Sequence, residues 1–235
     1  MATSAQSTLV APPQGTSWAW RSVRGTPAIS VRKRLIDLVF ASLLLTAAAP
    51  IVLLIAVAIK LTSPGPVFFR QRRLGLGGRA FTILKFRTMA HGASDAPHRD
   101  YVRSLVTETC ECATPGLVYK LTADARVTWV GHLLRRSSLD ELPQLWNVAR
   151  GEMSLVGPRP PVPYEVELYQ PWQLERLSVR PGITGLWQVS GRNRLSYVEM
   201  CQLDVKYVHN WSISEDFRIM LKTPWVMLTN SGSAA

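Results

Sequence analysis

The chain has 235 residues, 47% of them hydrophobic, and a formal net charge of +11, which is room for one or two domains with an ample core. The excess charge lies within residues 1–90, where twelve Lys or Arg face a single acid, Asp37, and bracket a long apolar run; that placement suits anionic lipid headgroups and argues against nucleic acid. Cys110, Cys112 and Cys201 form an odd set without a paired framework or a second pair of metal ligands, which argues against a disulfide scaffold or a zinc site and suits a reducing compartment.

Residues 1–30 are rich in Ala, Ser, Thr, Pro and Gly without a sustained period, which predicts a mobile tail. A cleaved signal peptide needs its charged region and apolar core at the start of a chain, whereas the apolar run here begins only near residue 38, so no cleavage is expected. From 38 to 59 there are 22 uncharged residues, about 33 Å as one straight helix. Hydropathy alone predicts a transmembrane helix. Pro50, however, divides the run into twelve and nine residues, and both flanks are basic, with Arg32, Lys33 and Arg34 before and Lys60, Arg70, Arg72 and Arg73 after. A re-entrant helix hairpin over 31–62, broken at Pro50 with both ends cytoplasmic, satisfies the positive-inside rule. A proline-kinked span is the alternative.

After Ser63-Pro64-Gly65-Pro66, strand-like runs at 67–72 and 80–87 flank Gly75-Leu76-Gly77-Gly78. Gly75-x-Gly77 lacks the third glycine of a dinucleotide loop, and a hairpin turn is the better reading. Residues 90–118 are polar and mixed, a variable insertion in which His91 and His98 read as solvated surface. The pattern from 127 to 134 predicts a short helix leading into Arg135-Arg136-Ser137-Ser138. Helix is expected again at 139–149, then a turn holding Gly157-Pro158-Arg159-Pro160. A helix over 171–179 should end before Arg180-Pro181-Gly182. Two more helices are predicted at 197–209 and 217–228, the last suited either to a membrane interface or to the core. The fold class expected is α+β, mostly helical.

Asp140 and Glu141 are adjacent acids set between an arginine pair and Arg159. Cations there can neutralise phosphoryl oxygens while one carboxylate attacks or deprotonates and the other holds a divalent metal. The same residues read equally as a capping box, Ser138 at N-cap and Glu141 at N3. The two readings are compatible, since a helix N-terminus that aims carboxylates also offers N–H groups to an anion.

Four stretches together resemble the bacterial sugar transferase family of monotopic phosphoglycosyl transferases. They are Gly65-Pro66-Val67-Phe68-Phe69-Arg70-Gln71, Lys85-Phe86-Arg87-Thr88-Met89, residues 138–160, and residues 180–192 with Arg180-Pro181-Gly182-Ile183-Thr184-Gly185-Leu186-Trp187-Gln188 at their head. The resemblance covers roughly 31–225. It implies transfer of a sugar 1-phosphate from a UDP-sugar to polyprenyl (undecaprenyl) phosphate, with release of UMP and a requirement for Mg2+. It implies that Asp140 is a covalent nucleophile and that Glu141 helps bind the metal. Arg135 and Arg159 correspond to phosphate-contacting positions, and Lys85, Arg87 and Arg192 lie in motifs that complete the anion site; Asp204 supports the site or forms a structural salt bridge. The fold it implies is a re-entrant membrane helix followed, from residue 63 to 235, by a small cytoplasmic catalytic domain with a short β-hairpin and interfacial amphipathic helices. The location it implies is the cytoplasmic face of the bacterial inner membrane, with membrane lipids as partners and room for a homo-oligomer. Ala125, Trp129 and His132 depart from the family pattern, and the lost basic character bears on membrane contact rather than on chemistry. Galactose, glucose and N-acetylated amino sugars are all compatible donors. The alternative from another class is a noncatalytic module that binds anionic lipid and uses the Asp-Glu pair only to cap a helix.

Overall fold

The uncharged run forms the middle of one helix, α1 (Val31–Thr62), in a computed structural model that describes residues 30–94, 96, 99–100, 104, 124, 126–191 and 194–229. Arg192, most of the 90–118 insertion and all but the last residue of the predicted tail lie outside those residues. Ser30 caps α1 by accepting the Lys33 N–H, and Ser63 closes its far end through Ile59 O. The expected hairpin broken at Pro50 is instead a single helix that continues through the proline. Proline removes one backbone donor and introduces a ring clash, a local disturbance that the Ala-rich and Leu-rich turns on either side outlast.

Along its most apolar 18-residue window only 6% of α1 is buried, so most of that stretch is left partly or wholly uncovered, although Ala41 belongs to the main core. Its ends are attached. Lys33 Nζ donates to Val156 O (3.1 Å) and Asp216 Oδ2 (2.6 Å), and Arg34 donates to Val148 O and Ala149 O. At the other end Ile59 is buried with Phe86, Val130 and Leu134.

β1 (Phe68–Leu74) and β2 (Ala80–Phe86) form the expected antiparallel hairpin, Phe68 opposite Phe86 and Leu74 opposite Ala80. The turn between them includes Gly77 at φ +64°, a left-handed conformation that suits a residue without Cβ. α2 (Trp129–Ser137) is capped by Thr128, whose hydroxyl accepts the Gly131 N–H. It runs through both arginines, three residues beyond the sequence expectation.

The expected continuous helix over 139–149 is divided into a 3-10 turn, Leu139–Glu141, and α3 (Gln144–Arg150), with Pro143 at the N-cap of α3. The capping box does not form. Ser138 takes a left-handed conformation (φ 56°, ψ 18°) that ends α2, and its hydroxyl makes no cap hydrogen bond. Among the described residues it is the one non-glycine at positive φ, a state that costs an L-residue about 1–2 kcal/mol.

Short segments follow: β3 (Ser154–Val156), α4 (Pro163–Val166), a 3-10 helix at Pro171–Ser178, β4 (Gly182–Thr184) and α5 (Leu186–Ser190). β3 and β4 pair in parallel, Ser154 with Gly182 and Val156 with Thr184. A Cβ on Gly182 would stand 2.1 Å from Gly157 N, so the approach of these two backbones requires glycine. α6 (Tyr197–His209) matches its predicted bounds, and α7 (Ile213–Thr229) starts four residues earlier than expected. The main core gathers Ala41 of α1, Ile83 of β2, Leu145 and Val148 of α3, Leu155 and Val156 of β3, Tyr207 of α6 and Ile219 of α7.

Candidate active site

Asp140 and Glu141 lie in the turn between α2 and α3, and both line a cavity of about 1070 Å³. Lys85, Arg87, Arg135 and Arg159 line it too, so the fold brings together every sequence-predicted site residue that it describes. Their neighbours then separate their roles.

Lys85 projects from β2, and its Nζ lies 2.7 Å from Glu141 Oε1. That contact depends on the placing of β2 against α3, which Asn147 secures. Its side-chain amide donates to Thr82 O (2.8 Å), and its oxygen accepts the Leu84 N–H (3.0 Å). Asn147 is 1% exposed, so these bonds are made away from competing water.

Arg135 reaches the cavity from the last turn of α2, where Nε donates to Thr88 Oγ1 across 3.0 Å. Burial pulls its pKa below the ordinary arginine value, opposed first by the charge of Asp140 and then by Asp124. Thr88 in turn receives Thr128 N–H on its carbonyl (2.9 Å). Gly131 lets α2 approach this strand end, since a Cβ there would lie 2.0 Å from Thr88 O.

Arg87 lines the cavity and also has structural partners. Its guanidinium donates to Pro64 O (2.5 Å), Ser63 O (3.0 Å) and Ser63 Oγ (2.7 Å), which ties β2 to the chain leaving α1. Arg159 is held through its peptide, with N–H on Asp204 Oδ2 (3.3 Å) and C=O receiving Arg176 Nη2 (3.4 Å). Arg176 and Asp204 are themselves paired at 2.8 Å with no side-chain exposure. Asp204 thus takes both parts expected of it, a salt bridge and a support for the turn that carries Arg159.

At the edge of the cavity Asp124 accepts two hydrogen bonds from the Arg126 guanidinium, Nε at 2.7 Å and Nη2 at 2.6 Å. Arg126 also reaches Ser94 O. These bonds hold the Asp124 pKa down at about 2. The same cavity has apolar lining as well, from Leu44, Ala47 and Ile51 of α1, Phe68 and Phe69 of β1, and Val226 and Met227 of α7.

Thr88, Asn147, Arg176 and Asp124 were not singled out by the sequence. Thr88 sits inside the Lys85–Met89 motif, and Asn147 is a polar residue between Trp146 and Val148, so each left a faint local signal. Nothing in the order of residues pairs 176 with 204.

Among the described residues no group of three or more His, Cys, Asp or Glu side chains could hold a metal ion. The donor set still fits magnesium, which commonly takes one or two carboxylates and completes its shell with phosphoryl oxygens and water. Glu141, next to Asp140 and facing the cavity, is the protein ligand such an arrangement offers. Chemically, the site combines a carboxylate beside Arg135, a second carboxylate beside Lys85, and apolar lining that includes side chains of α1.

The family model described as bacterial sugar transferase matches residues 28–230. The exopolysaccharide production protein ExoY of Sinorhizobium fredii is 44% identical over 207 residues, 88% of this chain and 90% of that protein. The UDP-glucose:undecaprenyl-phosphate glucose-1-phosphate transferase of Caulobacter vibrioides is 43% identical over 214 residues, 88% of this chain and 73% of that protein. The undecaprenyl-phosphate galactose phosphotransferase of Salmonella typhimurium is 40% identical over 202 residues, 86% of this chain and 41% of the longer protein.

Proposed function

The chain belongs to the bacterial sugar transferase family, and on that premise we propose that it transfers a sugar 1-phosphate from a UDP-sugar to undecaprenyl phosphate, a first membrane step of exopolysaccharide or other glycoconjugate assembly. The observation that carries this reading is one cavity lined both by Asp140, Glu141, Lys85, Arg135 and Arg159 and by apolar side chains of α1 and α7. A nucleotide-sugar diphosphate suits the first set, and an isoprenoid chain suits the second.

In the first step an Asp140 oxygen attacks the sugar-bearing phosphorus of the UDP-sugar, and the bond to the bridging oxygen breaks with departure of UMP. In the second, a phosphate oxygen of undecaprenyl phosphate attacks the same phosphorus, the aspartyl bond breaks, and the Asp140 carboxylate is restored. Attack by one anion on another needs charge compensation. Arg135, oriented by Thr88, and Arg159, fixed through its backbone, provide it from protein. Magnesium, when bound through Glu141, would neutralise diphosphate charge and leave Asp140 for attack.

The membrane assignment rests on α1. A straight helix of 32 residues would run about 48 Å, well beyond a hydrocarbon core of about 30 Å. Yet Lys33 near one end and Ser63 past the other are both bonded to the same domain, through Asp216 and Arg87. Re-entry from the cytoplasmic face of the inner membrane, by a helix that bends at Pro50 without being interrupted there, accommodates both attachments, whereas a span would set that domain on both sides of the bilayer. Cysteine labelling just before residue 32 and just after residue 62 tests this, and labels on opposite sides would exclude re-entry.

The reaction is tested with radiolabelled UDP-sugars, undecaprenyl phosphate and magnesium. UMP release by the wild type and its loss in Asp140→Asn is the expected result. No release across a panel of donors would overturn the reading.

A further inference from the structure

Lys85 occupies the place where a cation is most needed. Its Nζ stands 2.7 Å from Glu141 Oε1, both side chains are about three-quarters buried, and both face the reaction cavity. The pair joins β2 to the turn after α2 across 56 positions of sequence, so tertiary packing and not local chain geometry creates it. We propose that Lys85 is a stand-in for the divalent cation: it neutralises Glu141 in the free enzyme and passes to the phosphoryl oxygens of the substrate when Glu141 takes the metal. This rests on the assignment of Glu141 as the metal ligand.

One observation and one chemical argument point to an exchange rather than to a permanent ion pair. The described residues place no third acid, histidine or cysteine where it could complete a metal shell, so a metal must compete for Glu141 without much help from the protein. The bound diphosphate supplies what each cation lacks, several anionic oxygens for the ammonium and additional oxygen ligands for the metal. Metal and nucleotide should therefore bind cooperatively, with Lys85 as the coupling element. A consequence runs against the usual effect of removing a site residue, because neutralising Lys85 should tighten metal binding to the free enzyme.

The test is electron paramagnetic resonance of Mn2+ alone, titrated into the full chain in lipid nanodiscs. Lys85→Gln should bind Mn2+ roughly tenfold more tightly than wild type, the effect expected from removing one charge beside a partly buried carboxylate. Lys85→Arg, which keeps the charge, should stay within about twofold of wild type. Glu141→Gln should abolish the added affinity in a Lys85→Gln background. Equal or weaker binding by Lys85→Gln would overturn the proposal while leaving Asp140-dependent UMP release standing. Undiminished binding by Glu141→Gln would overturn both this exchange and the metal assignment beneath it.

Discussion

Lys33 and Asp216, in the first turns of α1 and α7, meet at 2.6 Å with side chains only 7% and 8% exposed. The same aspartate receives the Tyr207 hydroxyl (2.6 Å) and the Trp211 indole N–H (3.0 Å). The acid that anchors the membrane helix is therefore saturated with donors, and removing the lysine leaves its negative charge buried with neutral partners. Lys33→Ala should cost about 3–5 kcal/mol, whereas Lys33→Met combined with Asp216→Leu should cost much less. Denaturant unfolding in detergent measures both. Equal losses would show that charge compensation is not what attaches α1.

Asp140→Asn should lower UMP release by roughly three orders of magnitude or more, as loss of a nucleophile does. Protein-bound radiolabel, trapped by rapid denaturation after mixing with labelled UDP-sugar, should vanish together with turnover. A variant that still carries label would move the covalent step to another residue.

Arg135→Lys keeps the positive charge but loses the forked guanidinium and the Nε bond to Thr88. A fall in kcat/KM of roughly 10- to 100-fold is expected. Thr88→Val, which removes only the restraint on the arginine, should shift the same parameter in the same direction by about tenfold or less. Steady-state kinetics with saturating lipid acceptor distinguishes the two.

Gly131→Ala would drive a methyl group to 2.0 Å from the Thr88 carbonyl, and backbone cannot yield as a flexible side chain does. Destabilisation of about 1–3 kcal/mol is expected. The larger effect should fall on catalysis, because the displaced strand end carries the partner of Arg135. Thermal melting and UMP release on one preparation would show whether the two losses separate.

The ion pair of Asp124 with Arg126 has a defined pH window. The folded carboxyl titrates near 2 against an ordinary value of 3.8, so the folded state binds this proton less readily than the unfolded chain. The stabilisation is thus fully present above about pH 4 and is lost as pH falls toward 2. The difference in unfolding midpoint between wild type and Asp124→Asn should be constant from pH 7 to 5 and shrink below pH 4.

The parts of this molecule legible in its sequence were those with a local cause. The β1–β2 hairpin followed from two strand-like runs around a glycine turn, and the bounds of α6 from its helical period between Ser196 and Asn210. Asp140 and Glu141 stood out because their arginine neighbours are close in the chain. What stayed hidden depends on distant partners. Ser154–Val156 and Gly182–Thr184 are too short to announce a strand, and they pair in parallel across 28 positions. The bonds of Arg87 to Ser63 and Pro64, more than twenty positions back along the chain, gave no local signal beside its place in an anion-site motif. The capping box failed for a conformational reason: a left-handed Ser138 cannot serve the turn that follows it.

That left-handed serine also determines how the site can change over time. Arg135 and Asp140 stand on either side of this elbow, five positions apart, and Arg135 is held as well by Thr88 from just past the end of β2, so the turn and that distant partner together set how cation and carboxylate meet. Substitutions that disturb either the turn or the contact with Thr88 therefore reach the cation and the carboxylate together.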